Sequence, residues 1–380
     1  MNKRQIVSLL ALWLAATVCS AELPLEVLTT KSLPAKPGAH WVWVNDMSVT
    51  NMLDGKAHLV DADSGNYLGM LSTGYWHNRL VMPSDNKEIY STQTYYPRAT
   101  YGGRTDIVVV YDAKTLSPIA EIEIPPKRMT NFPTVGNVQI TDNDRFLLVF
   151  NFNPAQTVSV VDVIERKFVG EIESAGCSFT YPLGNLRFFM ICGDGTLMDV
   201  QLDSSGAVVS KSRTESFFQP PEDFIEEDGV RVGNTWYFSS RKGMVYSVSS
   251  APKGLAFATP WSLLTETDRV AGWHTGGFHP VGVHLLSGRL YVLVLQGGEF
   301  SHKDAAEQVW VFDLGKKERI RQVRLNNPAT IMRISQDTQP RLYTAFVASN
   351  SLDVYDALSG KFLRTVEDIG VSPTYLQTLR

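Results

Sequence analysis

One short unit recurs along this chain and limits what it can fold into. Its clearest copy is Leu352-Asp353-Val354-Tyr355-Asp356-Ala357-Leu358-Ser359-Gly360-Lys361-Phe362-Leu363. Apolar residues lead into an aspartate, a polar turn follows, and a second apolar run begins, which predicts a strand, a tight turn and a return strand. Gly360 suits the positive φ that such turns demand. Related stretches are centred on Asp61, Asp112, Asp162, Asp203, Ser249 and Asp313. With Asp356, successive markers lie 51, 50, 41, 46, 64 and 43 residues apart. A hairpin this small cannot bury its own faces. Copies every 40–50 residues, several short strands each, predict a seven-bladed β-propeller, an all-β ring of four-stranded blades. The chain termini are expected to share one blade. The longest interval points to an insertion around Thr265–Gly277.

The strand candidates agree. Ile107–Tyr111, Phe146–Phe150 and Leu290–Leu295 are near-continuous apolar runs, as strands covered on both faces require. Trp41–Asp46 is the first convincing strand. Helical periodicity is scarce. Ser262–Arg269 is the best short helix, with Ser262 as its expected cap.

The first 21 residues have the pattern of a secretory signal. Lys3 and Arg4 precede a mostly apolar run from Ile6 to Val18, and small residues stand before Glu22. The expected organisation is therefore a signal peptide over 1–21 and the propeller over 22–380. Lipidation at Cys19 is the less favoured alternative. Removing Lys3 and Arg4, with no acidic residue in that segment, takes the formal charge from −4 to −6. A mildly acidic exported chain without a basic run is a poor nucleic-acid binder. No membrane partner is expected either. Export leaves Cys177 and Cys192 as an even pair in an oxidising compartment, and one disulfide is expected rather than two buried thiols.

Candidate chemistry is sparse. His274, His279 and His284 are spaced by five, which on strands alternates faces, so no metal site is expected from them. The acidic stretch Glu222–Asp228 lacks the ligand alternation of a calcium loop and reads as a solvated connection between blades. The recurrent aspartates stand just before turns, where their carboxylates bond nearby backbone N–H groups. No nucleotide loop, G-x-S-x-G elbow or C-x-x-C occurs. No catalytic or cofactor-binding residue is expected in this chain.

Several stretches carry a resemblance. They are Thr94-Tyr95-Tyr96 with Arg98, Gly103-Arg104-Thr105-Asp106, Pro125-Pro126-Lys127-Arg128, Gly176-Cys177, and Met190-Ile191-Cys192-Gly193-Asp194-Gly195. Pro260-Trp261-Ser262, Trp273 with Gly276-Gly277, His284, Ser287-Gly288-Arg289-Leu290 and Val309-Trp310-Val311 extend it. Across nearly the whole mature chain these resemble the heavy subunit of quinoprotein amine dehydrogenases, above all the aromatic amine enzyme and, more distantly, the methylamine enzyme. The resemblance implies a periplasmic heterotetramer of two heavy and two small Cys-rich light chains. Its cofactor, tryptophan tryptophylquinone, would belong to the light chain, and a blue copper protein would accept the electrons. It also supports the Cys177–Cys192 bridge. A family Phe borders the substrate channel just after the first strand. Here Val49, followed by Thr50, falls nearest that position, so Val49 and Thr50 are the expected channel residues. The competing readings are a stand-alone exported scaffold and a self-sufficient propeller hydrolase or lactonase.

Overall fold

The aspartate markers all close one kind of hairpin. Asp61, Asp112, Asp162, Asp313 and Asp356 end the third strand of their blades, and Asp203 follows Leu197–Leu202 directly. Their carboxylates accept backbone N–H groups two or three residues on. Asp112 takes those of Lys114 at 3.1 Å and Thr115 at 2.7 Å, and Asp162 takes those of Ile164 and Glu165, both at 3.0 Å. Asp356 takes that of Ser359 at 2.7 Å. The turn then needs a left-handed residue. Gly65 (φ 77°) and Gly360 (φ 75°) supply it without strain, whereas Leu116 and Arg166 (both φ 55°) adopt it at a cost of about 1 kcal/mol each.

The computed structural model describes residues 31–76, 79–131, 133–252, 254–298 and 300–379. Two compact units are distinguished, Met1–Ser32 and Leu33–Arg380. Apart from its last two residues the first lies outside the described residues, and the secretory signal and Cys19 lie there with it. The second is a seven-bladed propeller. Its first blade pairs Trp41–Asp46 with Gly55–Asp61 on one side and with the C-terminal strand Pro373–Thr378 on the other. The termini of the ring therefore share a blade, as expected.

The blades are less uniform than four strands each. The second has three, Glu88–Tyr95, Thr105–Asp112 and Pro118–Ile124, and its innermost position is reduced to one bridge between Val81 and Tyr90. In the sixth, the innermost position is split into Trp273–Thr275 and Val281–His284, both paired with Arg289–Gln296. Gly276, Gly277 and Pro280 make the break. Gly277 has φ 90°, and a Cβ there would meet the Thr330 carbonyl oxygen at 2.6 Å.

The long interval between markers holds the helix Glu266–Val270 and the strand Trp261–Ser262. The cap is Thr265, not Ser262. Thr265 and Asp268 form a reciprocal capping box, a better start signal than the serine, which pairs as strand instead.

Each blade buries its faces against its neighbours. The three apolar runs singled out above are buried at every position. Blades three and four meet through Phe146, Leu148, Phe150, Phe188 and Met190. Blades four and five meet through Tyr181, Phe189, Trp236 and Phe238. An outer strand such as Val208–Arg213 is exposed throughout.

Cys177 and Cys192 are disulfide-bonded, directly opposite one another across the two inner strands of the fourth blade. Their sequence separation is 15. Replacing both by Ala should lower stability by about 3 kcal/mol through loop-closure entropy. Urea unfolding should show this shift with the near-UV spectrum of the folded ring retained.

Candidate functional site

The two ends of the ring differ. At one end the innermost strands begin and the second strands finish, because the two run antiparallel; Asp46 lies opposite Pro373 there. The loop Met47–Asp54 emerges at this end, and its first residues are set by Asp46.

Asp46 is buried. Its carboxylate accepts the N–H groups of Ser48 at 2.6 Å, Val371 at 2.6 Å and Ser372 at 3.0 Å, with His58 Nε2 at 3.7 Å. Burial alone would raise its pKa. The nearby His58 side chain and the three backbone N–H donors outweigh burial and hold the carboxyl below its ordinary range. Ser48 takes φ 51°, and the Asn51 N–H returns to its carbonyl at 2.6 Å. The chain is thereby turned outward. Val49 is 46% exposed, and Thr50 is exposed beside it. Both expected channel residues thus stand at the tip of one anchored loop.

This loop is tied to the second blade. The Trp76 N–H donates to the Met52 carbonyl at 2.9 Å. Tyr75 meets Tyr96 edge-on at 5.7 Å. Beneath them lies a buried network. Arg128 Nε donates to Thr94 Oγ1 at 2.7 Å and its Nη2 to the Tyr75 carbonyl at 2.7 Å. Asp106 accepts from Thr94 at 2.7 Å, from the Arg128 N–H at 2.9 Å and twice from Arg104 at 2.8 Å. Burial lowers the Arg128 pKa to about 10, against the opposing pull of Asp106. Outside the network stands an aromatic rim of Tyr95, Tyr101 and Phe152, all substantially exposed. The Arg98 guanidinium lies over the Tyr101 ring at 4.9 Å.

Toward the axis a second charged set is buried. His279 Nδ1 is 2.5 Å from Asp228, and its Nε2 is 2.9 Å from the Thr374 carbonyl. Both ring nitrogens face oxygen atoms. Asp228 also accepts the Val135 N–H at 2.7 Å. Glu226 accepts from Lys303 Nζ at 2.5 Å. Burial, together with the neighbouring charges of Glu227 and Asp228, pushes Glu226 up to about 7, only partly offset by Lys303.

The acidic stretch Glu222–Asp228 does connect blades, but it is solvated only in part: Glu222 is exposed and three of its acids are buried. Asp223, Glu226 and Asp228 are buried, because Ser240 of the fifth blade and Lys303 and His279 of the sixth meet them. Their apolar neighbours Phe224 and Ile225 were the available hint; the distant partners left none. The three spaced histidines do not converge. His274 meets Ser301 at 2.9 Å, His279 meets Asp228, and His284 meets Ser287 at 2.8 Å. Among the described residues no group of three or more His, Cys, Asp or Glu side chains is placed to hold a metal ion.

Ring closure and blade count place the protein in the seven-bladed propeller class. A periplasmic gluconolactonase of Pseudomonas aeruginosa shares that fold, with a TM-score of 0.60 at 15% identity over 90% of this chain and 99% of its own; the likeness extends to fold alone. Residues 38–380 match the profile of the methylamine dehydrogenase heavy chain, and the chain belongs to that family. It is 30% identical over 350 residues to the methylamine dehydrogenase heavy chain of Paracoccus versutus, covering 90% of this chain and 80% of that one. The heavy chain of Methylophilus methylotrophus is 28% identical over 327 residues, covering 84% and 78%.

Asp46→Asn tests the anchor. Losing a charged acceptor of several buried N–H groups should cost about 2 kcal/mol at neutral pH. Because the folded pKa is depressed, this contribution is fully present above about pH 4 and is lost as the pH falls through the lower folded value. Urea unfolding should therefore separate parent and variant at pH 7, with the gap closing in acid.

Proposed function

We propose that this chain is the heavy subunit of a periplasmic amine dehydrogenase that converts primary amines, arylalkylamines among them, to aldehyde and ammonia. The observation that carries the reading is the family match over residues 38–380. The partner is a small Cys-rich light chain in a heterotetramer of two heavy and two light chains. A tryptophan tryptophylquinone in that light chain supplies the electrophile and takes up the electrons, which pass on to a blue copper protein.

The tryptophans of this chain are a poor fit for such a quinone. Trp273 and Trp310 do approach, with ring centroids 5.2 Å apart. Trp310 is fully buried, however, and the Arg319 guanidinium covers its ring at 3.9 Å. Trp43 and Trp236 are core residues as well. This agrees with placing the quinone in a partner, since amine oxidation needs a cofactor that ordinary side chains do not provide.

The role left to this chain is a wall. Val49 and Thr50, on their anchored loop, border the entrance to the light-chain site. The exposed aromatic rim beside them suits a protein contact, where Tyr and Phe are favoured. Val at position 49 in place of the family Phe leaves a wider opening, which supports the bulkier amines. Export rests on the N-terminal signal pattern; among the described residues no helix is long and apolar enough to cross a membrane.

Two experiments test the reading. The pure chain should not oxidise 2-phenylethylamine, tyramine or methylamine in a dye-linked assay. The same chain co-produced with its light subunit and maturation factors should do so. Quinone absorbance and turnover in the isolated chain would show the subunit assignment to be wrong. No turnover by the matured complex with any amine would favour a stand-alone exported scaffold. In the assembled enzyme, Val49→Phe should raise KM for the largest amine about tenfold, the size typical of lost space in an apolar pocket. An unchanged ranking of amines would remove Val49 from the channel.

A further inference from the structure

The axial channel has a second end, remote from Val49. A cavity of about 400 Å³ opens there, within the size range of small-molecule sites. Ile140, Pro182, Ile334 and Thr378 line it, and each is the last residue of its innermost strand. Since Asp46 lies opposite the beginning of such a strand, this cavity and the Val49 loop are at opposite ends of the ring.

Its charge is unusual. Arg79, Arg231 and Arg333 line it against a single carboxylate, Asp142. Asp142 is already engaged, with Arg231 nitrogens at 2.5 and 2.8 Å. Asp228 lies within electrostatic range of Arg79 and Arg333, but it is committed to His279 and the Val135 N–H. Among the described residues, neither Arg79 nor Arg333 has an ion-pair partner. Arg79 is only 6% exposed. Its Nη1 makes one long bond, 3.4 Å, to the Val135 carbonyl, and its guanidinium lies over the Tyr375 ring at 5.3 Å. Among the described residues its buried Nε has no partner. Gln377, in the same wall and 4% exposed, also has an unpartnered amide oxygen; turned over, that amide would present N–H donors.

A buried cation with unused donors is costly unless something answers it. Guanidinium forks are suited to planar or tetrahedral oxyanions, which they bind with two N–H groups at once. We infer that this cavity is a binding site for a small oxyanion, a carboxylate, phosphate or sulfate group held between Arg79 and Arg333 with Gln377 beside them. The site owes nothing to amine oxidation, so either reading can fail without the other.

Calorimetric titration of the full exported chain, with any subunit that co-purifies, tests this. The probes are inorganic phosphate, sulfate and succinate, each at ionic strength held constant with chloride. One saturable site is expected for at least one probe. Inorganic anions alone would identify a phosphate- or sulfate-type ligand, and succinate alone a carboxylate. Arg333→Gln should weaken binding at least tenfold while leaving the melting temperature in chloride unchanged. Arg79→Lys, which keeps the charge but loses the fork, should weaken it as well; if that variant does not fold, Arg333→Gln decides. No saturable heat with any probe, or parent-like affinity in Arg333→Gln, would overturn the proposal.

Discussion

The ring depends on the pairing of its first described strand with its last. Trp41–Asp46 and Pro373–Thr378 are more than 300 residues apart in sequence, yet they lie side by side. Unpaired, each would leave a sheet edge open, and the outer faces of two blades would lose their cover. The pairing slips by one residue between Asn45 and Asp46. A slip leaves ladder N–H groups without strand partners. The Asp46 carboxylate takes up the nearby N–H groups of Val371 and Ser372. The residue that secures the closure also turns the chain out into the Val49 loop through Ser48. Closure and the shape of that face are one arrangement.

The axis obeys different physics from the seams between blades. The seams are filled with aliphatic and aromatic side chains that interdigitate. Around the axis the innermost strands diverge, and polar and charged residues fill what side-chain packing does not. Asp228, His279 and the Thr374 carbonyl bridge three blades. Next to them along the axis, Arg79, Arg333 and Gln377 line the cavity. Polar groups in such a place are tolerated only when they are satisfied. Asp228 and His279 satisfy each other, whereas among the described residues the Arg79 Nε has no partner.

Much of the fold was legible because it is repetitive and local. An aspartate, a polar turn of about five residues and an apolar run specify a hairpin at these positions, and their spacing counts the blades. Asp356 with Gly360 announces its turn openly. Leu116 and Arg166 do not, since nothing about a leucine or arginine signals a left-handed backbone; the neighbouring Asp hydrogen bonds impose it. The thin second blade was hidden because Leu80–Met82 is apolar enough for a strand but pairs at only one point. The site was less legible for a related reason. Val49 and Thr50 were reached through resemblance, and no local pattern marks them. Asp46, Arg128, Asp228 and His279 act through partners distant along the chain, and a contact of high sequence separation leaves no trace in spacing.

The Val49 loop divides two tasks between backbone and side chain. Its backbone is fixed by buried polar bonds: Asp46 to Ser48, Asn51 back to Ser48, and Trp76 to Met52. None of these involves the side chain at position 49. That side chain is nearly half exposed and lies outside the buried cores. A change of size there leaves the anchor untouched, and surface changes of this kind typically move stability by only about 0.5 kcal/mol. Asp46 is the opposite case, buried and bonded on every side, so any change there disturbs the ring itself. Position 49 can therefore vary in size without renegotiating the fold, because the constraint and the variable sit on different atoms of the same short loop.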